Sequence, residues 1–248
     1  MKKHILIAAA VMLAAVSHGQ MFAQMFGGST WTPASLGPVA WWRMDDNAAN
    51  KTVIDSAGTN TGTSVENTTA VHTNGVNGGA LAFNGATDYI VSTYKSGISG
   101  SAARSVSFWI YPKSATGRQT IFSMGEFLTG RLWCPEFNGF AGGPSNIYVS
   151  SYNADAYSTN ALPLNGWSHV TVTYSGGAAN SGCKIYYNGA SQGVVGSGSA
   201  LNTTDSVIGI GRDNPGTRQP FNGFIDDVLF FNRALTQSEI TQLYNWRQ

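Results

Sequence analysis

The chain has 248 residues, with 14 Lys or Arg against 13 Asp or Glu, a formal charge of +1, and only 11% charged residues. That balance excludes bulk electrostatic attraction to nucleic acid or to an anionic membrane as the basis of function. Thirty glycines and 12% aromatic residues describe a turn-rich, aromatic-rich β protein better than a helical enzyme.

Residues 1–23 read as a secretory signal peptide: Lys2 and Lys3 precede an apolar run from Ile5 to Val16, and small residues follow, with cleavage expected between Ser17 and Ala23. The run is about a dozen residues, short of the ~18 to 20 a membrane-spanning helix needs. The mature chain is therefore expected to be secreted, extracellular or at the cell surface, with the periplasm also open, and free of the membrane. Losing Lys2 and Lys3 leaves one acid in excess. Cys134 and Cys183 then reach an oxidising compartment and form a candidate disulfide, with two lone buried thiols as the alternative. Residues 24–38 are rich in Gly, Ser, Thr and Pro and form a lead-in, so one domain is expected over 39–248.

Within that domain, short runs rich in Val, Ile, Tyr, Phe and Trp recur between Gly, Asn, Ser and Asp clusters, the pattern of a sandwich or barrel. In residues 105–112, Val106, Phe108 and Ile110 share one face and Ser107, Trp109 and Tyr111 the other, the period of two that a strand imposes. Residues 167–174 alternate likewise, with His169, Thr171 and Thr173 opposite Ser168, Val170, Val172 and Tyr174. Asn188-Gly189 after the next run predicts a hairpin turn, with a strand following through Val195. At the end, Thr236 and Glu239 make a capping box, and Ile240, Leu243 and Tyr244 fall on one helical face.

The ordered set WWRMDDNAANKTVIDSAGTNTGT (41–63), GGALAFNGATDYIVS (78–92), SVSFWIYP, GWSHVTVTY, KIYYNG and GFIDDVLFFNRALTQSEI (223–240) resembles the laminin-G-like, concanavalin-A-like lectin and glucanase family over nearly all of residues 39–244. The resemblance implies an all-β, two-sheet antiparallel jelly-roll sandwich with a short C-terminal helical turn. It also implies frequent carbohydrate or protein recognition outside cells, often with a structural calcium. In related folds a last-strand aspartate binds that ion with carbonyls of the first strand and of the loop after the second. Here these would be Asp226, the Asn84-Gly85 turn and the strand near Trp41.

The residues themselves offer oxygen ligands in clusters: Asp45, Asp46 and Asn47, then Asp55, then Asp226 and Asp227 in the last strand. Asp46, Asp55, Asn84, Gly85, Asp226 and Asp227 are the calcium candidates; the alternative is that these side chains cap turns. Ligand-binding candidates are Trp133, Phe137, Tyr148, Tyr152, Asn153 and Arg212. A sugar has an apolar face that stacks on aromatic rings and a polar edge for amides and acids, and Tyr157, Asn146 and Asp155 lie in the same stretch. Asp213 and Arg218 extend a second rim from Arg212.

Catalysis is poorly supplied. Beyond the signal segment there are only His72 and His169, and His169 alternates as a sheet-face residue. No two of Glu66, Glu126, Glu136 and Glu239 are paired at i and i+2, although Glu126 and Glu136 could meet in space. The expected function is a binding module for a glycan or a surface protein, serving carbohydrate recognition or adhesion. A structural or adhesive protein-binding domain, or a glycoside hydrolase or polysaccharide lyase of the same fold, are the alternatives.

Overall fold

The computed structural model describes residues 31–76, 78–138, 145–213 and 219–246; the expected signal peptide and the first residues of the lead-in lie outside them. The chain divides after Ser35 into a short N-terminal unit and a body, Leu36–Gln248. In chain order the body carries β1 (Ala40–Trp42), β2 (Thr52–Val53), β3 (Gly62–Ser64), α1 (Thr68–Val71), β4 (His72–Asn74), β5 (Gly79–Asn84), β6 (Ile90–Lys95) and β7 (Arg104–Pro112). There follow β8 (Gln119–Thr120), β9 (Phe122–Gly125), β10 (Leu132–Phe137), β11 (Ile147–Ser150), β12 (Ala156–Ser158), β13 (Ser168–Tyr174), α2 (Ala179–Gly182) and β14 (Cys183–Tyr187). The chain closes with β15 (Ala190–Ser191), β16 (Val194–Gly196), β17 (Val207–Ile210), β18 (Asn222–Phe231) and α3 (Gln237–Trp246).

Two antiparallel sheets result. The first runs β15-β14-β13-β7-β18-β5-β4, with β1 on β18; the second runs β16-β12-β11-β10-β9-β17-β6-β3-β2, with β8 on β10. Alternation along each strand sends one side chain in two between the sheets, where burial removes it from water. Val106, Phe108 and Ile110 of β7 and Val170, Val172 and Tyr174 of β13 enter one core with Phe122, Trp133 and Phe137 of the second sheet. The jelly-roll sandwich expected from the sequence is the fold observed.

The outward face of the first sheet is covered in part by α3. Thr236 and Glu239 cap the helix reciprocally, the Thr236 amide donating to Oε2 of Glu239 at 2.8 Å. The Arg233 guanidinium and these cap bonds hold the Glu239 carboxyl down at about 2. Ile240 and Leu243 are buried, and Tyr244 packs on Trp109 and His169 at 5.8 and 5.9 Å. No described helix is long and apolar enough to cross a membrane.

The cysteines do not form the expected disulfide. Both thiols are free and buried, and the strand period separates them. Cys183 enters the core from the first sheet beneath the Trp133 indole. Cys134 follows Trp133 on β10 and so points to the opposite face, where its Sγ meets Glu136. Burial raises both thiols, Cys183 to about 12, so neither is a ready thiolate.

Candidate functional site

Register on the second sheet assembles one outward row across five strands: Thr120 opposite Glu136, Glu136 opposite Tyr148, Tyr148 opposite Tyr157, and Tyr157 opposite Val195. The two tyrosine rings stack at 6.0 Å and 12°. Arg118, just before β8, lays its guanidinium over Tyr148 at 4.9 Å and donates through Nε to Oε2 of Glu136 at 2.7 Å. The Tyr148 hydroxyl hydrogen-bonds to Asp155, whose other contact is the Ser151 amide at 2.7 Å. Tyr157, Asp155 and Arg118 keep part of their surface in solvent, whereas Glu136 is 1% exposed.

Burial pushes the Glu136 carboxyl up to about 7, outweighing the Arg118 guanidinium that pulls it down. Burial and the neighbouring Asp155 carboxylate raise the Tyr148 hydroxyl, so it stays a hydrogen-bond donor. Oε2 of Glu136 is held by Arg118 and Oε1 accepts from the Cys134 thiol. The row thus presents an aromatic pair bordered by a cation and carboxylates, with no histidine in it.

Of the nominated ligand residues, Tyr148 stands in this row, and Tyr152 and Asn153 sit close in sequence to Asp155, in a turn whose backbone is left-handed at both positions (φ 52° and 73°). Tyr152 is 48% exposed. Trp133 and Phe137 are corrected: both are fully buried, because they take the inward parity of β10 while Cys134 and Glu136 take the outward one. Arg212 lies over Tyr89 at 5.0 Å, and Arg218 lies outside the described residues. Arg118 escaped the sequence reading; a lone Arg after a Gly turn carries no signal until strand pairing sets it against Glu136.

Glu126 and Glu136 do not meet in space. Glu126 pairs with Arg131 and Thr204 at a part-exposed position, and Arg131, which faces it, lies five residues and about 17 Å from Glu136. His169 is a sheet-face residue, its Nε2 2.8 Å from Ser107 Oγ beneath α3. With burial lowering it to about 3, it is neutral near pH 7.

The six calcium candidates do not fit as one site. Asp55 spends both oxygens on the amides of Trp41, Ala57 and Asn60, and Asn84 caps its own turn through Ala86 and Thr87. Asp46 accepts from Ile54. A β-bulge between Asp226 and Leu229 gives Asp227 a left-handed backbone (φ 46°) and turns its carboxylate to the Trp41 indole at 2.9 Å. Both aspartates are buried for that reason. Asp226 instead holds the β4–β5 turn through the Val76 amide at 2.9 Å, and Asp45 holds the same turn through Gly79 at 2.7 Å. Asn84 and Gly85 sit at the other end of β5, opposite Asn222, about 13 Å along β18 from Asp226. Among the described residues, no group of three or more His, Cys, Asp or Glu is gathered for a metal.

A sequence model of the concanavalin A-like lectin/glucanases superfamily matches residues 84–241, and the chain belongs to that superfamily. No curated protein sequence matches it. Among solved structures it is similar to domain 4 of an extracellular arabinanase from Geobacillus stearothermophilus in complex with arabinotriose, at 22% identity and TM-score 0.65, covering 84% of this chain and 98% of that one. It is also similar to the ligand-binding domain of botulinum neurotoxin serotype D in complex with N-acetylneuraminic acid, at 18% identity and TM-score 0.58, covering 87% and 53%. A sialidase from Trypanosoma rangeli is similar over 88% of this chain and 33% of its own, at 16% identity and TM-score 0.58. These identities establish a shared fold.

Proposed function

We propose that the chain is an exported carbohydrate-recognition module that binds without turnover, its saccharide resting on the Tyr148–Tyr157 face of the second sheet. The carrying observation is that stacked pair, with the Arg118 guanidinium on one side and Asp155 on the other. A sugar ring's C–H face packs on Tyr157, its hydroxyls reach Asp155 and Arg118, and Tyr152 and Asn153 form the rim. Glu136 supports binding over hydrolysis: both its oxygens are occupied and almost none of its surface is open to a glycosidic bond. The arabinotriose and N-acetylneuraminic acid complexes of similar domains support a glycan as the partner.

A glycan array of the purified protein is expected to give hits, with no soluble sugar released. Tyr157→Ala is expected to weaken the best hit by about 1 to 2 kcal/mol. An empty array, or product release abolished by Glu136→Gln, overturns the reading.

The structural calcium expected from the sequence stays a proposal, and Asp226, the last-strand aspartate, is the residue on which it is tested. A metal held by the folded state alone stabilises it by mass action. EDTA is therefore expected to lower the melting temperature of the wild type and leave Asp226→Asn nearly insensitive; an unchanged wild type removes the calcium.

A further inference from the structure

The first sheet carries its own outward aromatic group. Trp109 and His169 lie opposite each other in the pairing of β7 with β13, under Tyr244 of α3. Two residues further along β7, beyond that cover, Tyr111 stands opposite Phe224 of β18. Trp167, immediately before β13, completes the group. The three rings converge: Tyr111 stacks on Phe224 at 5.2 Å, and Trp167 lies 5.7 Å from Tyr111 and 6.3 Å from Phe224. All three keep part of their surface in solvent.

The surroundings of this cluster give it polarity and charge. Lys113 is exposed, with its ammonium 4.1 Å from the Phe224 ring centroid, and it joins no ion pair among the described residues. Asn222 precedes Phe224 by two residues and so sets its amide on the same face. Ala82, opposite Phe224 on β5, is too small to cover the ring. The three rings thus lie beside an amide and an exposed cation that rests over Phe224.

We propose that Tyr111, Trp167 and Phe224 form a second saccharide site, on the opposite sheet from Tyr157, selective for a pyranose that carries a carboxylate. The ring's apolar face packs on the aromatic cluster, the carboxylate meets Lys113, and a hydroxyl reaches Asn222. A neutral sugar keeps the stacking and loses the ion pair. The site rests on residues that the Tyr148–Tyr157 face does not use, so either can fail alone.

Calorimetry with a galacturonic acid hexamer and with cellohexaose tests this on the full chain. The acidic hexamer is expected to bind more tightly, and raised salt to narrow the difference. Trp167→Ala and the surface change Lys113→Glu are each expected to weaken the acidic hexamer about tenfold or more, with Tyr157→Ala leaving that binding in place. Lys113→Glu lies on an exposed side chain and keeps the test valid should Trp167→Ala unfold. Equal affinity for the two hexamers, no binding of the acidic one, or indifference to Lys113→Glu overturns the proposal.

Discussion

Trp133→Ala is expected to cost about 3 to 5 kcal/mol of folding stability and to leave glycan affinity within a few fold in whatever fraction stays folded. The indole is fully buried, edge-on to Phe122 at 5.9 Å and tilted against Phe230 at 6.4 Å, so truncation opens a cavity between the two sheets. The cavity is not purely apolar. Arg104, itself 0% exposed, lays its guanidinium over Trp133 at 5.7 Å and over Tyr174 at 5.4 Å, and burial lowers its pKa to about 10. Removing one of its two aromatic faces leaves a buried cation less well compensated. A loss of this size is a large part of the 5 to 15 kcal/mol by which domains are stable. Urea unfolding of Trp133→Ala beside Tyr157→Ala separates the roles. Lost affinity at unchanged stability for Trp133→Ala would return that residue to the ligand surface.

The contrast between Trp133 and Tyr148 also marks how far the sequence could be read. Strand parity was legible: the alternations in 105–112 and 167–174 predicted which side chains of β7 and β13 enter the core, and the capping box at Thr236 and Glu239 is formed as written. In residues 132–137 the same parity was obscured, because LWCPEF is apolar or aromatic at four of six positions and all six are buried. Only pairing with β11 and β8 reveals that Trp133 and Phe137 face inward while Cys134 and Glu136 face outward. Composition drew attention to the aromatic stretch around Tyr148, but it could not sort the stretch into core and surface.

Cross-strand neighbours were the other thing the sequence withheld. Arg118 meets Glu136 across 18 positions, and Tyr111 meets Phe224 across more than a hundred, contacts that depend on strand order and register alone. The Asp226-Asp227 pair shows the reverse case. Regular alternation predicted that one of the two would point inward or toward a neighbouring strand, and the bulge buries both, giving each a separate partner in Val76 and Trp41. A bulge adds a residue to one strand without any required sequence mark when the left-handed position is filled by Asp instead of Gly.

Two buried titrating groups are expected to give the protein a stability profile in which opposite pH slopes nearly cancel, and single substitutions should expose each slope. Glu136 is raised from 4.5 to about 7, so the folded state holds its proton more tightly than the unfolded chain does. Its contribution is fully present below pH 4.5 and is lost as pH rises toward 7. His169 is lowered from 6.5 to about 3, so its contribution is present above pH 6.5 and is lost as pH falls toward 3. Each slope is about 1.4 kcal/mol per pH unit within its window. Between pH 4.5 and 6.5 the two oppose each other, which leaves the wild type nearly flat there. Glu136→Gln removes the alkaline loss while keeping a polar partner for Arg118, so its stability is expected to fall steadily on acidification from pH 6.5. His169→Gln removes the acid loss, so its stability is expected to fall as pH rises from 4.5 to 7. Urea midpoints measured at half-unit steps from pH 4 to 8 read both. A Glu136→Gln curve parallel to the wild type would mean that the carboxylate is ionised throughout, held by Arg118 against its burial. Between pH 4.5 and 6.5 the His169 slope would then stand without the opposing Glu136 one.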